Sequence, residues 1–272
     1  MRKHLSAVAL LSLNIGVGSA HAITIDGNLA DWGVTPNHGA NGWIPSSGIH
    51  FTIEDQNNSY LNPGYGGQAY DAEAMYATIQ GNRLYIALAT GHNPTTKQDP
   101  AHNSYGAGDF AIDFGQDGTY ELGINILHTL ANGNKESFGI EGGVYGSPTW
   151  ALGLWNSAGA YDPAHPDPTH PTHLTNGTLL GMADLAYTTT GQTGFGQWSG
   201  HTHYFYEMSL DLGLLTQAGW NGSPFNIHWT ENCANDSIIV DPPPAHVPEP
   251  GTLALLPLGM VGLMALRRRK SA

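Results

Sequence analysis

Gln80-Gly81-Asn82 lies between two runs rich in apolar and aromatic residues, 73–79 and 83–90. A glycine turn between two such runs reads as a β-hairpin. The arrangement recurs at Gly115-Gln116-Asp117-Gly118, between residues 109–114 and 119–127. In the first strand of that second hairpin, Phe110, Ile112 and Phe114 share one face and leave Asp109, Ala111 and Asp113 on the other. Further strand-like runs fall at 49–54, 137–145, 149–154, 201–210, 225–230 and 237–240. No long segment carries a helical period, although 212–217 is long enough for one short turn. Many strands without helices between them restrict the chain to an all-β body. The expected form is a two-sheet antiparallel β-sandwich, jelly-roll-like.

Composition agrees with this reading. Only 11% of the 272 residues are charged, while Gly alone numbers 36, a balance that favours strands and turns. Three stretches, 55–70, 91–108 and 155–183, are rich in Gly, Pro, Asn and His and read as long loops, where binding concentrates on a rigid scaffold. Cys233 is the one cysteine, so no intrachain disulfide can form and the core must hold the fold. A buried apolar role is expected for it, with an intermolecular bridge or a reactive thiol as the alternative.

The two ends carry a different pattern. Arg2, Lys3 and His4 precede an apolar run and the small-x-small site Ala20-His21-Ala22, the layout of a secretory signal peptide with Ile23 as the mature start. At the other end, Pro248-Glu249-Pro250 precedes 16 apolar residues, 251–266, and then Arg267-Arg268-Arg269-Lys270. As a helix the run spans about 24 Å, short of a roughly 30 Å hydrocarbon core by an amount that snorkelling arginines cover. The expected organisation is a leader (1–22), a β-sandwich (23–240), a Pro-rich linker (241–247) and an anchor (248–272). Without its ends the body keeps three cations, Arg83, Lys97 and Lys135, against 21 carboxylates, a net charge of −18. Such a body will not bind nucleic acid by neutralising phosphates.

The C-terminal cassette resembles a PEP-CTERM sorting signal, the anchor handled by exosortase in Gram-negative bacteria that make exopolysaccharide. The resemblance implies signal peptidase and exosortase as partners, a transient inner-membrane span, and release to the cell surface or extracellular matrix. The opening of the body, Ile25-Asp26-Gly27 to Asp31-Trp32, and the later Tyr206-Glu207-Met208-Ser209-Leu210 resemble elements of family-nine-type carbohydrate-binding modules and DOMON-like sandwiches. In those the Asp-Gly…Asp-Trp element is mainly structural. The run from His228 through Glu231, Cys233, Asn235 and Asp236 resembles a recurring segment of PEP-CTERM exoproteins, with Ala234 where many have Gly.

Candidate binding residues are of three kinds. Tyr60, Tyr65, Tyr70, Trp155, Tyr161 and Trp198 crowd the loops, where rings stack on sugar faces or simply pack the loops. Asp71, Glu73, Asp109, Asp113 and Asp117 form an acidic set suited to Ca²⁺, against the plainer reading of a hairpin turn with a solvated face. His201 and His203, at i and i+2, point the same way on a strand and suit Zn²⁺ or Cu²⁺; His165, His170 and His173 sit in a proline-rich piece, and surface strand and flexible loop are the plainer readings. No nucleophile elbow, phosphate loop or zinc-protease motif occurs. Three functions stand open: non-catalytic polysaccharide binding, with or without Ca²⁺; a secreted glycan-active hydrolase; and a structural adhesin or coat protein without ligand.

Overall fold

A computed structural model describes residues 22–56, 64–94, 105–126, 138–188 and 190–242. The expected leader (apart from Ala22), most of the linker and the anchor lie outside these residues. The described strands are β1 (His50–Ile53), β2 (Ala72–Gln80), β3 (Arg83–Thr90), β4 (Phe110–Phe114), β5 (Leu122–Ile124), β6 (Gly143–Leu152), β7 (Pro171–Met182), β8 (Asp184–Tyr187), β9 (Tyr204–Asp211), β10 (Phe225–Thr230) and β11 (Ser237–Val240). One short helix, α1 (Leu212–Gln217), follows β9, its first turn capped by Asp211 accepting the Gly213 N–H. A five-stranded sheet runs β1-β2-β3-β9-β8 and a six-stranded sheet runs β11-β10-β4-β5-β6-β7. Every pairing is antiparallel, so the body is the expected two-sheet sandwich.

Period-two patterning explains the interior. Leu84, Ile86 and Leu88 of β3 meet Phe110 and Ile112 of β4 and Ile227 and Trp229 of β10 between the sheets. The alternate residues of the five-stranded sheet are apolar too: Ala74, Tyr76, Ala87, Ala89 and Phe205 pack outward against Leu29, Trp32, Val34 and Trp43 of the N-terminal segment. That sheet is therefore covered on both faces, which is why β2 and β3 are almost continuously buried. Trp32, Trp43 and Trp229 are fully buried; a ring of that size contributes about 4–6 kcal/mol of transfer free energy.

Glu207 fastens the N-terminal cover. It faces outward from β9, and its Oε2 accepts the N–H groups of Gly27 at 2.5 Å, Asn28 at 2.9 Å and Asp26 at 3.2 Å, while Oε1 accepts the Trp32 indole N–H at 2.6 Å. The Asp26-Gly27 turn and the late strand, far apart in the chain, are thus one structural unit. Gly27 has φ of +81° and a Cβ there would meet the Tyr187 backbone at 2.8 Å, so the turn needs glycine.

Three details depart from the sequence reading. The end of the run 137–145 and most of 149–154 belong to one strand, β6, whose pairing with β7 shifts register repeatedly. The stretch 155–183, read as loop, contains β7, and β8 follows it directly. Both missed strands lie at sheet edges, where one flank has no strand partner and polar residues are tolerated, so the apolar signal is weak. The β6–β7 ribbon also curls over the outer face of its own sheet: a Cβ on Gly123 of β5 would strike Leu174 and Trp150 at 2.7 and 2.8 Å.

Candidate functional site

Two adjoining features occupy one region of the sandwich. The first is an aromatic cavity of about 500 Å³ lined by Tyr65, Gly66, Tyr70, Tyr105, Leu154, Trp155, Tyr161 and Asn235. Four of the six aromatic residues singled out from the loops converge there. Trp155 is the pivot: its indole N–H donates to Asn235 Oδ1 at 2.9 Å, and its ring lies 5.9 Å from Tyr65, tilted 47°, and 5.9 Å from Tyr161, nearly perpendicular. Gly64 lets the chain pass against that indole, since a Cβ there would sit 2.3 Å from the ring. Trp155 and Tyr70 are buried, whereas Tyr65 and Tyr161 are 58% and 65% exposed, so fixed rings form the base and accessible rings form the rim. Among the described lining residues none is charged. Tyr60 lies outside the described residues. Trp198 is elsewhere, stacked on His201 at 6.2 Å.

The wall of this cavity includes the Glu231–Asp236 turn. Ala234 has φ of +54°, in the left-handed region, and donates its N–H to the Glu231 carbonyl at 2.8 Å. A non-glycine residue holds this left-handed conformation at a cost of about 1 kcal/mol. Gly153 accommodates the extra methyl, because a Cβ on Gly153 would overlap that of Ala234. Cys233 is fully buried and packs with Tyr70 and Leu154, so thiol reagents are expected to label it only after unfolding, a result mass spectrometry would check.

Behind the turn lies the second feature, a buried nest of carboxylates and imidazoles. A β-bulge between Ala72 and Ala74 interrupts the alternation of β2 and re-aims Glu73. Its Oε1 meets His203 Nε2 at 2.9 Å and accepts from Gln68 Nε2 at 2.8 Å. Asp236 Oδ2 accepts the Ala72 N–H at 2.7 Å, tying the Glu231–Asp236 turn to β2. Burial, then the negative charges of Glu73, Asp236, Glu54 and Asp55, push the Asp71 carboxyl up to about 9. Burial likewise raises Glu54 to about 7 and Glu231 well above the carboxylate range, with Asp236 adding repulsion at Glu231. Arg83 is the one Lys or Arg among the described residues, and it is engaged with Asp184 and Ser209. No described lysine or arginine therefore neutralises the nest.

The five carboxylates expected to share a cation separate into different settings. Asp71 and Glu73 belong to the nest. Asp109 spends its two oxygens on the N–H groups of Ile126 and Leu174, both at 2.8 Å, clamping the curled ribbon. Asp113 accepts from the Asp117 and Gly118 amides at 3.1 and 2.8 Å, and Asp117 accepts from Thr119 at 2.9 Å, so these two build the hairpin turn. Among the described residues, the one set of three potential metal-ligating side chains with atoms within 4.8 Å of one another is Glu73, His201 and His203. Glu54, Glu231 and Asp236, which complete the nest, were missed by sequence reasoning; only the resemblance of the 228–238 segment pointed toward that turn.

The fold and its site thus define a two-sheet antiparallel β-sandwich with an aromatic cavity beside a buried acidic nest. The PEP-CTERM protein-sorting motif matches residues 246–270, which hold Pro248, Glu249, Pro250, Arg267, Arg268 and Arg269. That motif marks a chain for export and for recognition by exosortase, with a C-terminal membrane anchor before cleavage. No curated protein and no solved structure matches the chain. Among the described residues no helix is long and apolar enough to cross a membrane; the span 251–266 and the cleavage residue Ala20 lie outside them. Ala22 is exposed, and packing of the body begins at Ile23, which is 8% exposed.

Proposed function

We propose that this protein is exported to the cell surface or extracellular matrix of a Gram-negative bacterium and holds polysaccharide there without catalysis. One observation carries the reading: Tyr65 and Tyr70 from one loop and Trp155 and Tyr161 from another converge on a single cavity with the Asn235 side chain at its wall. Rings present flat, weakly apolar faces to sugars, and amides bind their hydroxyls. A lining without charge among the described residues, on so acidic a body, favours neutral sugar units over uronates. Calcium enters this reading as an aid to wall geometry, since Asp71 follows Tyr70 and Asp236 follows Asn235 in the chain. The hydrolase reading has less behind it: Asp71 and Glu231, whose proton affinities are raised as in catalytic acids, are 2% and 0% exposed and out of a sugar's reach.

Retention on the producing cell's own exopolysaccharide tests the proposal. The double variant Tyr65→Ala/Tyr161→Ala removes two exposed rim rings and is expected to keep the fold while weakening retention at least about tenfold, the equivalent of two stacking contacts. Equal retention of the double variant, or no retention of the parent with or without Ca²⁺, overturns it.

A further inference from the structure

We infer that Glu73, His201 and His203 form a binding site for a single divalent transition-metal ion of the Zn²⁺ class. The site is separate from the sugar cavity and independent of its function. One ligand atom from each of the three side chains lies within 4.8 Å of the other two. A tetrahedral ion with ligand bonds of about 2.0–2.2 Å needs its ligand atoms about 3.3–3.6 Å apart, which small side-chain rotations supply. Two imidazoles and one carboxylate are a donor set for zinc or a neighbouring late first-row ion, not for calcium, which takes oxygens.

Buried atoms without partners point the same way. Glu73 is 0% and His203 1% exposed, yet Glu73 Oε2, His203 Nδ1 and His201 Nδ1 have no hydrogen-bond partner. Native proteins rarely leave such groups unsatisfied unless an ion or water completes them. Three elements converge to build the set: the bulge of β2 aims Glu73, the Gln192–His203 bridge positions His203, and the Trp198–His201 turn brings in His201. Around the imidazoles, Gln68 donates to Glu73 Oε1, Trp43 meets the His203 ring edge-on at 5.0 Å, and Trp198 covers His201. This is the kind of orienting shell that metal ligands need. The Asp55 carboxylate lies close enough to interact with both Glu73 and His203, so it adds an acidic neighbour on this side of the site. His201 is only half-buried, so an ion has an entry path and a coordination position left for water.

Titration of the purified full chain in detergent micelles with Zn²⁺, and with Co²⁺ for its visible absorption, tests the site. One equivalent is expected, with an affinity on the order of micromolar or tighter and a tetrahedral Co²⁺ spectrum. His201→Gln, a change at a half-buried position that circular dichroism can show to be folded, is expected to weaken binding at least about tenfold. A loop variant, His165→Gln/His170→Gln/His173→Gln, is expected to bind as the parent does. No uptake by the parent, or loss of binding in the loop variant with His201→Gln unaffected, overturns the inference. Polysaccharide retention is read separately on the same proteins, so failure of one leaves the other standing.

Discussion

Replacing Glu207 by leucine is expected to lower the melting temperature by about 10 °C or more. The side chain is fully buried and is the common acceptor for four N–H groups of the N-terminal cover. Burial pushes its carboxyl up to about 7 against the pull of those donors, the Trp32 indole first, so the contacts offset a large desolvation. Leucine leaves the Gly27 amide and the Trp32 indole N–H unpaired in the interior, while the exposed Asp26 and Asn28 amides can turn to water. Two orphaned donors cost about 1–3 kcal/mol each, and a domain of this size loses about 2–4 °C per kcal/mol. Asp26→Ala, which removes only a local turn contact to Asn28 at an exposed position, is expected to cost a fraction of that. Thermal melts followed by tryptophan fluorescence check both. A Glu207→Leu protein melting within 2 °C (about 1 kcal/mol) of the parent would remove the claim that this carboxylate pins the cover.

Stability is also expected to fall as pH rises from about 6.5 to 9 in the presence of a chelator. Asp71, at about 9, and Glu231, well above its ordinary value, keep their protons in the fold over a range where the unfolded chain has already released them. The folded state then binds more protons than the unfolded state. Stability conferred by the protonated forms is full below the unfolded values and is lost as pH climbs toward the folded ones. Each such proton is worth about 1.4 kcal/mol per pH unit. Glu54 and Glu207, both near 7, add to the slope at its lower end. Below 6.5 the trend is opposed by His228, whose imidazole burial holds down at about 3 with His170 adding to the effect, because the unfolded chain takes up that proton and the fold does not. Over 2.5 pH units even one differential proton amounts to about 3–4 kcal/mol, or roughly 10 °C. Asp71→Asn, neutral at every pH, is expected to raise the melting temperature at pH 8 and flatten the slope. A melting temperature constant from pH 6.5 to 9 contradicts this account of the nest.

How far the site was legible differs residue by residue. Tyr65, Tyr70, Trp155 and Tyr161 stand out because large rings in Gly- and Pro-rich segments are conspicuous; that they share one cavity, and that Trp198 does not, follows from which loops the two sheets bring together. Asp109 and Asp113 read as candidates for a solvated or metal-binding face because they alternate with core residues just before and along β4. Asp113 is taken up locally by the Asp117 and Gly118 amides of its own hairpin turn, whereas Asp109 is held by the Leu174 amide of the β6–β7 ribbon, a long-range contact with no local signature. Glu73 stands in the acidic candidate set by residue type, but that its partner is His203 follows only from the bulge that turns it there.

The sequence by itself determined the export cassette, the all-β class and the central hairpins, since each depends on local order: a motif followed by an apolar run and cations, or side chains alternating with period two between glycine turns. Only the tertiary structure decided that a second layer of apolar residues covers the five-stranded sheet, that Glu207 meets Gly27 and Trp32 across about 180 residues of chain, and that Glu54, Asp71, Glu73, Glu231 and Asp236 gather in one volume. The reason is physical: pattern along a strand states which face is apolar, but which loops and faces meet depends on register, bulges and ribbon curvature, whose energies are set by contacts between distant segments.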